Sequence, residues 1–189
     1  MTTVVRVNVK PNVGSIGALQ ELLTEWIDWR GGIGDSVALS RSVWAADGPS
    51  FNLVNVHDTI AEADEFRQNI GKEDRYWNML TKLSDLISKP PSFTVLNSVI
   101  PANRSGAGKP VSISVTVPVA IGKIPQARDL LSEWVEGAQS NGMTAALMVK
   151  QWSADGPKFV VRTSYDSVAD ADEARRSLAE SDDYKQFVQ

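Results

Sequence analysis

The chain opens on alternation. Over residues 3–10, Val5, Val7 and Val9 fall on one side of an extended segment, and Arg6 and Asn8 fall on the other. That pattern predicts a strand with one buried face. After a break at Pro11–Gly14 the period changes. Ile16, Leu19, Leu22, Leu23, Trp26 and Ile27 recur at helical spacing from Ser15 to about Arg30, and Gly31, Gly32 and Gly34 end the run. Two β-type runs, Val37–Trp44 and Phe51–His57, flank Asp47-Gly48-Pro49. Glycine supplies positive φ in such a turn, so a hairpin is expected. Asp58 stands where an N-cap belongs, ahead of an acidic, Ala-rich helix. Gly71 interrupts that helix. A further helical run, Glu73–Ile87, carries Tyr76, Leu80, Leu83 and Leu86 on one stripe; Pro90-Pro91 stops it, and Ser92–Ile100 reads as a closing strand.

The same order then returns. WAADGPSFNLVNVHDTIAEADEFR at residues 44–67 reappears at 152–175 as WSADGPKFVVRTSYDSVADADEAR, shifted by 108 residues without a gap. When residues 1–81 are paired with 109–189, 25 positions are identical. An internal repeat of this length settles the organisation before any local motif does. Val111–Val117, Ile124–Gln139, Ala145–Trp152 and Phe159–Tyr165 repeat the first strand, helix and hairpin, and Asp166 repeats the cap position. Pro101–Lys109, rich in small and polar residues, is the linker.

Two units are therefore expected, 1–102 and 103–189, each β-α-β-β-α in the split-βαβ, ferredoxin-like manner. The fold class is α+β. An antiparallel sheet with helices on one face needs a cover for the other, and two units can supply it by packing sheet to sheet as an intrachain barrel. The second unit has no counterpart of residues 82–100, so its sheet is left with an open edge. Either Ser92–Ile100 reaches across to it, or a second molecule covers it in a homodimer, or the natural chain is longer.

Composition narrows the chemistry. Hydrophobic residues make up 42% of the 189, enough for a packed core. The net charge of -4 with scattered Lys and Arg argues against a nucleic-acid partner. No apolar run reaches membrane-spanning length. There is no cysteine and a single histidine, which leaves no zinc cluster and no thiolate chemistry and fits a reducing cytoplasm. Gly31-Gly32-Ile33-Gly34 does not follow a strand, so it is no phosphate cradle.

Strand parity sorts the remaining polar residues. With Val5, Val7 and Val9 toward the helices, Arg6, Asn8, Ser42 and Trp44 are expected to line the interior, joined by Asn55 and His57 from the third strand. Thr116, Lys150, Trp152, Thr163 and Tyr165 are their counterparts in the second unit, and the same parity turns Arg162 toward the helices. His57 is the one imidazole in the chain, a side chain suited to proton transfer. Its competing reading is a hydrogen-bonded histidine at a strand end. Arg6 and Lys150 are suited to an anionic substrate, or to solvated ion pairs. Trp44 and Trp152 either stack a ligand or pack the hairpin ends.

The chain resembles the dimeric α/β-barrel superfamily, in its antibiotic-biosynthesis-monooxygenase-like branch. That branch carries a strand of the form F-x-L-x-E-x-W running into Asp or Ser and a helix. Phe51, Leu53, Asn55, His57 and Asp58 fall on this pattern, as do Phe159, Val161, Thr163, Tyr165 and Asp166. Neither unit has the Glu or the Trp. The resemblance implies a small organic ligand in a barrel cavity and no cofactor. It also implies oxidation without metal or flavin, in which a substrate such as a polycyclic phenol itself activates oxygen. His57, with Asn55 and Asn8, would then serve catalysis. Haem degradation, another activity of the superfamily, is disfavoured, because no histidine follows Trp77. The alternatives are a non-catalytic ligand-binding or stress-related module, and a structural pseudo-dimer with a filled interior.

Overall fold

The computed structural model describes residues 2–42, 48–103, 109–150 and 156–180. Its elements run β1 (Thr3–Val9), α1 (Ile16–Gly32), β2 (Val37–Ser42), β3 (Ser50–His57), α2 (Ile60–Ile70), α3 (Asp74–Leu86) and β4 (Ser92–Ile100). They continue with β5 (Val111–Pro118), α4 (Ile124–Ser140), β6 (Thr144–Lys150), β7 (Lys158–Tyr165) and α5 (Val168–Glu180). The chain is α+β, its strand pairs are antiparallel, and it divides into two compact units, Met1–Asn97 and Ser98–Gln189. Trp44, Trp152, Asp47, Asp155, Asp182 and Tyr184 lie outside the described residues.

In the first unit β1 lies between β3 and β4, and β2 flanks β3. The register pairs Val9 with Phe51 and Val7 with Leu53. This apolar face meets the stripe of α1 and the inner side of α3, and the core joins Val9, Phe51 and Leu53 to Leu19, Leu22, Leu23, Trp26, Met79 and Leu83. In the second unit β7 lies between β5 and β6, and Phe159, Val161, Ala145 and Leu147 meet Leu131, Val135 and Ala138 of α4. The last residues of β4 belong to this unit: Val99 and Ile100 pack on its core, and β4 runs beside β6. Among the described residues β5, where the missing strand would lie, remains the terminal strand.

Both long helices end in one way. Gly34, at φ 83°, lets the chain reverse so that the Asp35 N–H donates to the Arg30 carbonyl at 3.0 Å. Gly142, at φ 80°, does the same for Met143 and Ala138. Only glycine takes this backbone conformation without a steric cost. The caps of the shorter helices stand one residue beyond the expected aspartates. Thr59 Oγ1 accepts from the Glu62 N–H at 3.1 Å, while the Glu62 carboxylate reaches back to the Asp58 N–H at 2.7 Å. In the second unit Ser167 accepts from the Asp170 N–H. A hydroxyl three residues before an acid is the capping-box arrangement, and it outcompetes the neighbouring Asp.

Candidate functional site

The helices pack on one face of each sheet. In the first unit Arg6 and Asn8 of β1, Ser42 of β2, and Ser50 and Asn52 of β3 share the other face, and a hydrogen-bond ladder joins them. Asn52 Oδ1 accepts from Arg6 Nε at 2.8 Å and from Asn8 Nδ2 at 3.0 Å. Its Nδ2 donates to Ser42 Oγ at 3.2 Å, and Asn8 Nδ2 also donates to Ser50 Oγ at 3.1 Å. Asn52 is only 6% exposed, so its amide is a fixed hub.

The face changes character along the strands. Asn8 lies opposite Asn52, Arg6 opposite Val54, and Val4 opposite Val56 and Leu96. One end is polar, the other apolar, and Arg6 stands at the junction.

Asn55 and His57 lie on the other face, which corrects their expected placement. Asn55 Nδ2 donates to both carboxylate oxygens of Asp35, at 3.1 and 2.9 Å, and Asp35 is ion-paired with Arg30. His57 packs on Phe66 of α2, ring centroids 5.8 Å apart, and the Arg30 guanidinium sits 4.9 Å over the same ring. Burial pushes the Arg30 guanidinium below its ordinary value, and Asp35 partly offsets this. Phe51 and Leu53 set the parity of β3, and residues 55 and 57 are in phase with them. Past Val54 the usual alternation inverts, polar inward and apolar outward, because the inward residues meet Asp35, Arg30 and α2. The Asn52 that this parity turns outward was legible between Phe51 and Leu53, and sequence reasoning missed it.

The second unit sorts the same way. Thr116 and Lys150 lie on the helix-free face. Thr163 and Tyr165 lie on the covered one, in phase with Phe159 and Val161. Arg162 is consequently on the helix-free face, opposite Ser114 and Ala146, and not toward the helices.

Two shallow grooves along α1, of about 420 and 520 Å³, are lined in part by acidic residues and contain none of these side chains. Among the described residues no three His, Cys, Asp or Glu side chains gather as metal ligands would, and no helix is long and apolar enough to cross a membrane.

Neither a protein-family model nor a curated protein matches the chain. Solved structures do. A candidate monooxygenase from Fusobacterium nucleatum subsp. nucleatum is 11% identical, with 99% of this chain and 84% of that one aligned at a TM-score of 0.70. A second, from Lactobacillus acidophilus, is 12% identical over 100% and 86% of the two chains, at 0.68. An anthrone oxidase-like protein is 14% identical over 98% and 82%, at 0.64. The likeness is one of fold: the chain shares the α+β architecture of these solved structures.

Proposed function

We propose that the protein binds a small, planar organic molecule against the helix-free face of its first sheet. The observation that supports this most is the gradient across that face. The Asn52 ladder offers fixed polar groups to a carbonyl or phenolic oxygen, Val54 and Val56 offer an apolar bed to a ring system, and Arg6 stands between them. Arg6, Asn8 and Ser42 are ligand contacts in this account, with Asn52 added. His57 and Asn55 instead brace the sheet against α1 and α2.

The reaction we infer is monooxygenation without metal or flavin, in line with the anthrone oxidase-like and monooxygenase neighbours. An activated ring methylene loses both hydrogens to O₂. One oxygen atom becomes the new carbonyl and the other leaves as water, so no external reductant is required. A cation at Arg6 favours the ionised phenol or enolate, the electron-rich form that meets oxygen. Binding without turnover is the second reading. It is favoured by one observation: none of the described residues on this face of the first unit is a carboxylate, histidine or tyrosine that could accept the proton.

Two further proposals concern organisation. The 25 repeated identities and the matched helix ends at Gly34 and Gly142 support descent of both units from one duplicated ferredoxin-like unit, forming an intrachain pseudo-dimeric barrel. The terminal position of β5 supports a second copy of the chain as partner at that edge, and light scattering tests it. The absence of cysteine suits a cytoplasmic location.

A dihydroxyanthrone tests the function. Saturable binding with oxygen uptake supports the enzyme, binding without uptake supports the second reading, and no binding overturns both.

A further inference from the structure

We propose that the groove between α1 and α3 of the first unit is a docking surface for a basic amphipathic segment of a partner protein. The inference stands on the outer side of these two helices and does not rest on the function proposed for the sheet.

The groove holds about 420 Å³ along the seam of the two helices. Ala18, Leu22 and Leu86 give it apolar walls, and three carboxylates, of Glu21, Glu25 and Asp85, stand against the one ammonium of Lys82. Asn12 ties the loop before α1 to the far end of α3. Its N–H donates to the Leu86 carbonyl at 2.8 Å, and its Nδ2 donates to the Asp85 carbonyl at 3.1 Å. Val13, the next residue, is fully exposed, an apolar side chain in solvent within one residue of that anchor.

The charges carry a cost. Glu21, Glu25 and Asp28 follow at i, i+4 and i+7 on one stripe of α1, and like charges at such spacing destabilise a helix. Among the described residues Glu25 is ion-paired, with Arg75 at 3.4 Å, and no ion pair is made to Glu21, Asp28 or Asp85.

One exposed valine or one solvated acidic stripe is ordinary on a protein surface. Here the combination returns in the second unit. At the shift of 108, Val13 becomes Ile121, Glu21 becomes Asp129, Glu25 becomes Glu133 and Asp28 becomes Glu136. Ile121 is 77% exposed, and the three acids are exposed as well. Other exposed positions of the same helix have drifted: Gly17, Gln20 and Gly31 have become Pro125, Arg128 and Gln139. Core packing does not account for the persistence of side chains that point into solvent, and binding does.

The chemistry of the groove indicates its occupant. An apolar side chain fits against Leu22 and Leu86, and Lys or Arg one turn away on the same segment meets Glu21, Glu25 and Asp85. Nucleic acid and anionic lipid are repelled by these carboxylates. A second copy of the chain, at a net charge of -4, lacks the complementary sign.

The test is methyl nuclear magnetic resonance of the full chain, read at Ala18. The probes are a synthetic helical peptide of Leu and Lys in amphipathic order and its equally charged counterpart with Ser in place of Leu. The Leu–Lys peptide should shift the Ala18 methyl signal to saturation and bind at least about tenfold more tightly than the Ser–Lys peptide. Val13→Ser and Glu21→Lys should each weaken it by about fivefold or more. Glu65→Lys, the same change of charge on α2, should leave it intact. All three positions are exposed, and circular dichroism checks that each variant folds. If one does not, the comparison of the two peptides on the unaltered chain still decides. Equal affinity for both peptides, binding that leaves Ala18 unmoved, no binding, or an equal loss in Glu65→Lys and Glu21→Lys would overturn the surface. An Ala18 shift that follows protein concentration without peptide would assign the groove to a second copy and overturn it too.

Discussion

Arg6 and Asn52 are joined across β1 and β3 by a 2.8 Å hydrogen bond from the guanidinium Nε to the amide oxygen, and that same oxygen takes a second bond from Asn8. The bond is diagonal, because the residue directly opposite Arg6 is Val54. An arginine on an open sheet face would ordinarily wander in solvent. Here a buried amide fixes where its charge stands.

Replacing Asn52 with Leu removes an acceptor from two donors and a donor from Ser42. Stability should fall by about 1–3 kcal/mol, and affinity for the dihydroxyanthrone should fall by about tenfold or more. Urea denaturation and fluorescence titration measure the two effects. A variant that loses stability and binds as before would remove Asn52 from the site.

His57 is only 8% exposed and packs on Phe66. His57→Ala should cost about 1–3 kcal/mol through the cavity it leaves, with ligand affinity and any oxygen uptake unchanged once the protein is folded. Loss of turnover at full stability would restore the histidine to catalysis.

The Arg30–Asp35 pair is buried, and Asn55 completes it. Asp35→Ala strands a buried guanidinium and should cost about 3–5 kcal/mol. In the second unit the matching residues are Ala138, Met143 and Thr163. The triple variant Arg30→Ala, Asp35→Met, Asn55→Thr should recover at least half of that loss, because no charge or amide is then left unpaired. Denaturant midpoints of the two variants decide the matter, and no recovery would mean that the polar cluster has no apolar substitute here.

Much of this was legible in the sequence. The shift of 108 aligned every strand and helix of the second unit, and the alternation of β1 put Arg6 and Asn8 on the open face. What misled was β3. Its outer half carries Val54 and Val56 outward and Asn55 and His57 inward, so a rule that turns polar residues away from the helices fails where a buried ion pair awaits them. The partners that reverse the rule, Arg30 and Asp35, sit at the end of α1, about 20 residues earlier, and nothing local to β3 announces them.

The caps illustrate a smaller ambiguity. Thr59→Ala should cost about 1 kcal/mol, whereas Asp58→Ala, at the position composition favoured, should change stability by no more than about 0.5 kcal/mol. Thermal melts of the two variants settle which residue caps α2, and equal losses would contradict the assignment to Thr59.

The claim that the ligand lies on the helix-free face of the first sheet is tested most directly by side-chain nuclear magnetic resonance. Asn8, Asn52 and Arg6 Nε report one face, and the Asn55 amide, held by Asp35, reports the other. On titration with the dihydroxyanthrone, the Asn8 and Asn52 amide signals and the Arg6 Nε–H signal should shift together and saturate, while the Asn55 amide stays in place. Movement of Asn55 with Asn8, Asn52 and Arg6 unmoved would put the ligand beneath the helices and contradict the account.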